Sequence, residues 1–196
     1  MAKLLNKTDD FEKFSNSSKN YKNVWHPEKK FFCPKTSDGK WDCPETWVNV
    51  FDSRYKEGDA WHYRWFVPHD PEGLIDLFGS VDYFVKELDV FFSRSALDTS
   101  NFLPNPYYWA GNEPDLFAVW LFNFANRTDL TSKYTREIIK RSYTTGPGGL
   151  AGNDDYGTLS AWYLFTTMGF YPQSGTTTYL IGSPIFDQIT IYRDAQ

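Results

Sequence analysis

Residues 111–127 read GNEPDLFAVWLFNFANR, and their pattern decides the fold class. A helix is predicted over 115–126. Leu116, Val119, Trp120, Asn123 and Phe124 share one of its faces, while Phe117, Leu121 and Phe122 make the remainder apolar. A helix that is apolar nearly all round is buried on most sides. The next segment, about 131–144, differs: Lys133, Arg136, Glu137, Lys140 and Arg141 point outward, and Gly146-Pro147-Gly148-Gly149 ends it. A buried helix beside an amphipathic one implies concentric helical layers, an inner set sheathed by an outer.

The same alternation extends in both directions. Upstream, Asp70 can cap a helix whose first turn begins at Pro71. That helix pauses at Gly79-Ser80, and Val81, Phe84, Leu88, Phe91 and Phe92 then repeat with a 3.6-residue rhythm. Residues 2–20 are weakly helical. Residues 21–56 are irregular, with turn signals at His26-Pro27, Cys33-Pro34, Asp38-Gly39 and Cys43-Pro44. Downstream, a ring-rich helix is predicted over 157–169, and two strands, 177–181 and 186–192, finish the chain. No linker or fixed-period repeat divides residues 1–196. The expected fold class is mainly α, with short β-strands near the C-terminus, in one domain.

Composition narrows the function. A formal charge of -5 with lysines interleaved among acids leaves no basic stripe for nucleic acid. No run of about 18 apolar residues offers a membrane span. Eight Trp, 13 Tyr and 17 Phe fill 19% of the chain, which fits a ring-rich core, a sugar-binding cleft, or both. Cys33 and Cys43 flank a turn, where a disulfide would close a short loop. The first residues, MAKLLNK, carry no secretory apolar region, and sequons at Asn6, Asn16 and Asn126 are compatible with a secreted parent. The compartment stays open.

Three polar clusters sit at helix edges, where a scaffold positions loops. The first is Glu57-Gly58-Asp59-Ala60-Trp61-His62, continuing to His69-Asp70. It reads either as a catalytic acid in a ring-lined pocket or as a turn with a cap. On the first reading, burial against Trp61 would keep Glu57 protonated near neutrality. The second, Gly111-Asn112-Glu113-Pro114-Asp115, offers hard oxygen ligands suited to calcium, or simply a capped helix start. The third, Gly152-Asn153-Asp154-Asp155-Tyr156-Gly157, can cap a helix, bind a cation or supply a carboxylate base. Together they permit glycoside hydrolysis, which needs one protonated and one ionised carboxyl on opposite sides of a sugar ring.

At these motifs the sequence resembles glycoside hydrolase family 92, the calcium-dependent exo-α-mannosidases. The matching stretches are EGDAWHYRWFVPHDPEGLI (57–75), YYWAGNEPDLFAVWLFNFANR (107–127), GPGGLAGNDDYGTLSAWYLFTTMGFYP (146–172) and YLIGSPIF (179–186). The resemblance implies part of an (α/α)6 toroid, Ca2+ at the base of the pocket, and removal of terminal α-linked mannose from glycans with inversion. By position, Glu57 matches the general acid and Asp155 the general base. Asn153 stands where many members carry a second acid, which removes a negative charge beside the base. Asn112 and Glu113 match the calcium-site pair. Trp61, His62, His69, Asp70, Trp109 and Asp154 make up the expected substrate-binding set. Where members preferring α-1,2 links are expected to carry His-Glu, this chain has Tyr108-Trp109. Family enzymes are much longer, so a partial catalytic domain is expected, lacking the N-terminal β-sandwich and the first toroid helices. It would need that missing part as a partner. The competing readings are an inactive mannose-binding fragment and a pseudo-enzyme interaction module.

Overall fold

The computed structural model describes residues 1–95 and 104–192. In chain order its regular elements are α1 (Thr8–Ser17), β1 (Trp25–His26), β2 (Phe31–Phe32), α2 (Ala60–Tyr63), α3 (Pro71–Phe78) and α4 (Val81–Ser95). After these come α5 (Glu113–Leu116), α6 (Leu121–Phe124), α7 (Thr128–Ser142), α8 (Thr158–Met168), β3 (Phe170–Pro172) and β4 (Tyr179–Ile181). The architecture is mainly α, as the periodicities require. No helix among the described residues is long and apolar enough to cross a membrane.

Local chemistry accounts for the clearest boundaries. Asp70 caps α3, taking the Gly73 N–H at 3.1 Å, with Pro71 in the first turn. Gly79, at φ 89°, ends it in the left-handed conformation that glycine tolerates. Helix α4 buries Phe84, Leu88, Phe91 and Phe92 of the face that its sequence rhythm marks, while Val81, at its first position, stays exposed.

Two expectations need correction. The single helix expected over 115–126 is three short pieces: α5, a 3₁₀ turn over Ala118–Trp120, and α6. Phe117, Val119, Trp120 and Phe122 are poor helix formers because their χ1 freedom is lost against the preceding turn. All four are buried, so packing rather than helical regularity fixes the backbone. The strand expected over 186–192 is absent. Instead β4 pairs with β3, Tyr171 opposite Leu180. Alternation makes a strand only where a partner backbone lies alongside.

The core is built from rings. Trp65 stacks on Phe78 at 5.3 Å and meets Phe84 edge-on. Phe92 stacks on Tyr134, tying α4 to α7. The buried Arg64 guanidinium lies 4.1 Å from the centre of Phe31 and 4.9 Å from those of Trp61 and Phe78. It pairs with Glu87 at 2.8 Å and donates to the Lys30 carbonyl, which with the ring faces offsets the cost of burying the charge. Cys33 and Cys43 are joined in a disulfide that closes the 34–42 turn.

Candidate active site

Glu57 occupies a turn that the chain holds under constraint. Its φ is 54°, a left-handed conformation uncommon for a residue with a side chain. Gly58 follows because nothing larger fits: a Cβ there would lie 2.8 Å from both Asn112 Nδ2 and His62 Nδ1. Asp59 then caps α2, accepting the N–H groups of Trp61 at 2.8 Å and His62 at 3.1 Å. The Glu57 carboxylate is two-thirds exposed and stands 3.0 Å from Lys56 Nζ. The expected burial against Trp61 is not found. Helix α2 turns Trp61 inward, among Phe31, Phe91 and Tyr107.

Beneath this turn lies a buried polar network. His62, wholly inaccessible, sets Nε2 against the carbonyls of Asn105 at 2.7 Å and Tyr107 at 2.8 Å. Asn112 Nδ2 meets His62 Nδ1 at 2.8 Å and donates to the Glu57 carbonyl at 3.1 Å. Asp115, also wholly buried, accepts the Trp109 N–H at 2.9 Å, and its Oδ2 lies 3.6 Å from His62 Nε2. Desolvation pushes the Asp115 carboxyl well above the usual range. Burial likewise raises Asp59 to about 7. One oxygen of each, Asp59 Oδ2 and Asp115 Oδ1, lacks a hydrogen-bond partner among the described residues, as a protonated carboxyl tolerates better than an ionised one. Sequence reading missed both acids in this role, because in sequence they are ordinary helix-start residues.

The second and third clusters meet through glycine. A Cβ on Gly152 would lie 3.0 Å from the Gly111 Cα, so the two loops touch backbone to backbone. This contact brings Glu113 near Asp155, close enough for the two carboxyls to influence each other. Burial first, then the neighbouring Asp155 carboxyl, then the charge of Glu57 raise the Glu113 pKa. Asp155 and Tyr156 have φ of 43° and 60°, so the expected base, like the expected acid, is left-handed. The result is one open cavity of about 580 Å³, lined by Glu57, Trp109, Asn112, Glu113, Asn153 and Asp155, with Phe51 at its wall.

The other five expected residues do not line that cavity. Trp61 belongs to the ring core, and His62 stands behind Asn112. His69 places Nε2 2.9 Å from the Ser18 carbonyl, and Asp70 caps α3 while accepting the Tyr21 hydroxyl at 2.7 Å. Asp154 accepts from the Ser160 N–H and hydroxyl, both at 2.9 Å, at the start of α8. For these three the capping and turn reading of the sequence describes the contacts.

The cavity oxygens suit a hard cation. Asn112 turns Nδ2 to the Glu57 carbonyl and to His62, and it lines the cavity together with Glu113 and Asp155, whose side chains carry oxygens of the kind such an ion takes. Among the described residues no three His, Cys, Asp or Glu side chains converge with metal-ligand geometry. A cation here would therefore complete its shell with carbonyl, water or ligand oxygens.

Comparison with known proteins gives the family. Residues 1–196 match the glycosyl hydrolase family 92 catalytic domain. The chain is 28% identical to an uncharacterized secreted glycosidase of Arthroderma benhamiae, over 93% of its own length and 25% of the relative's. It superposes at a TM-score of 0.81 on the family GH92 α-mannosidase BT3965 of Bacteroides thetaiotaomicron, solved with mannoimidazole, at 34% identity over 93% of this chain and 26% of that one. For the GH92 inverting mannosidase BT2199 of Bacteroides thetaiotaomicron VPI-5482 the TM-score is 0.81 and the identity 31%, over 94% and 27%. The chain thus spans about a quarter of these relatives, and its helices form part of their helical toroid. Matched by the family model over residues 1–196, and in shape over 93% of its length, the chain belongs to glycosyl hydrolase family 92.

Proposed function

We propose that this chain carries the acid–base face of a mannosidase that hydrolyses terminal α-linked mannose with inversion. One observation carries the reading: Glu57 and Asp155, 98 residues apart in sequence, line the same open cavity. Inverting glycosidases need two carboxyls about 6.5–9.5 Å apart, with room for water between them. Glu57 gives its proton to the glycosidic oxygen as the C1–O bond breaks. Asp155 takes a proton from the water that attacks C1 from the opposite side of the ring, so the product leaves as the β-anomer. Asn153, beside the base, adds no second charge. Trp109 offers a ring for the apolar face of mannose. Asn112 and Glu113 would hold calcium, which when bound binds sugar hydroxyls and favours ring distortion.

In this reading the chain is one part of the catalytic unit, and the sandwich and first toroid helices lie outside it. Exposed apolar residues, among them Leu164, Phe186 and Ile191, favour a second reading. On that reading the fragment binds mannose without turnover, or serves as an interaction module.

The test is release of mannose from α-linked manno-oligosaccharides, followed by proton NMR with and without a calcium chelator. Initial β-mannose that vanishes on chelation is expected. Initial α-mannose would overturn inversion, and full activity without calcium would overturn the metal role. Chelator-sensitive binding with no release, even once the sandwich and first toroid helices are supplied, selects the second reading.

A further inference from the structure

We infer that His62 is a positioning residue, which by fixing the Asn112 amide sets both the Glu57 backbone and the oxygen offered to the cavity. This rests on the proposed function for one element, the role of Asn112 Oδ1 as a calcium ligand. The orientation itself follows from hydrogen-bond accounting. His62 Nε2 faces two carbonyl oxygens, those of Asn105 at 2.7 Å and Tyr107 at 2.8 Å, and carbonyls only accept. Nε2 therefore carries a ring hydrogen, and because the Asn112 Nδ2 that meets Nδ1 also donates to the Glu57 carbonyl, Nδ1 is the acceptor of that pair.

Asn112, 2.8 Å from Nδ1, must then present its NH2 group. Its second hydrogen reaches the Glu57 carbonyl at 3.1 Å. A flipped amide would set Oδ1 against the Nδ1 lone pair and against that carbonyl, two repulsions in place of two bonds. The amide is thereby locked, with Oδ1 left for a ligand.

The surroundings hold His62 to this task. Asp59 caps the helix that carries it, and Asp115 grips the Trp109 N–H in the segment that supplies the two carbonyls. Gly58 lets the Glu57 turn lie directly on the His62–Asn112 pair, where no Cβ fits. Sequence position suggests a pocket residue. The contacts instead make His62 the support of the pocket floor.

The test uses the full chain. Its three histidines give separate ring nitrogen signals in long-range proton–nitrogen NMR, and His62→Gln identifies the signal of interest. Nδ1 unprotonated and Nε2 protonated is the expected tautomer, and a protonated Nδ1 overturns the inference. Calorimetry with calcium chloride then compares variants. Glutamine can donate to the carbonyls and accept from Asn112, so His62→Gln should keep its calcium affinity within about threefold, whereas His62→Leu should lose about 10–100-fold. Equal affinity in the leucine variant and the parent overturns the inference and leaves the calcium reading intact. No calcium binding by the parent ends the calcium reading, and the tautomer alone then decides how Glu57 is held. Should the leucine variant fail to fold, the tautomer and the glutamine variant decide.

Discussion

Asn112 donates its side-chain amide to the backbone carbonyl of Glu57 across 55 residues of sequence, at 3.1 Å. The bond joins the first polar cluster to the second and spans the floor of the cavity. Asn112→Asp keeps the shape but can donate neither to that carbonyl nor to His62 Nδ1. Leaving those buried acceptors unsatisfied should destabilise the fold by about 1–3 kcal/mol. At roughly 2–4 °C per kcal/mol for a chain of this size, a thermal melt will read the loss.

Gly58→Ala tests the same contact from the other side. The new methyl would meet Asn112 Nδ2 and His62 Nδ1 at 2.8 Å, so both must retreat. Crowding of this kind costs about 1–3 kcal/mol. Affinity for a mannose analogue should fall together with the melting temperature. Unchanged affinity would show that the cavity floor does not depend on this close approach.

Removing the proposed acid should affect chemistry and not binding. Glu57→Gln is expected to lower kcat on manno-oligosaccharides by about 10²–10⁴ while leaving KM within a few-fold. An aryl mannoside, whose leaving group needs little protonation, should lose much less. Equal losses on both substrates would argue against Glu57 as the acid.

Buried acids give stability a pH slope. Burial is the main cause of the rise in the Asp59 carboxyl from its ordinary 3.8 to about 7, with the Asp115 charge adding and His62 opposing. Between about pH 4 and 7 the folded protein holds a proton that the unfolded chain has released. Stability therefore falls as pH rises through that window, by at most about 1.4 kcal/mol per unit from this group. Asp115 is raised for the same reason and acts in the same sense. Denaturant melts at pH 5 and pH 7 will show the slope, and Asp59→Asn should flatten it.

Much of this was legible from residues alone. Asp70, Pro71 and Gly79 bound α3 as their chemistry dictates, and the apolar rhythm from Phe84 to Phe92 marks the buried face of α4. The residues of the shared cavity lie in motifs that the sequence presents openly. What it hides is direction. Trp61 and His62 follow Glu57 closely, yet one short helix begins between them and turns both side chains into the core. Asp59 and Asp115 look like surface caps, because their burial depends on segments dozens of residues away. The disulfide is the intermediate case, a pair visible in sequence whose bonding only the closed turn reveals.

The left-handed backbone at Glu57 and Asp155 has an evolutionary corollary. Glycine would relax either turn, so selection for folding alone would drift toward glycine at both sites and discard the carboxyls. A deep mutational scan scored for abundance should rank glycine near the top at these two positions. Scored for sugar hydrolysis, the same scan should rank it near the bottom. That crossing of two rankings would mark where the molecule trades sturdiness for chemistry.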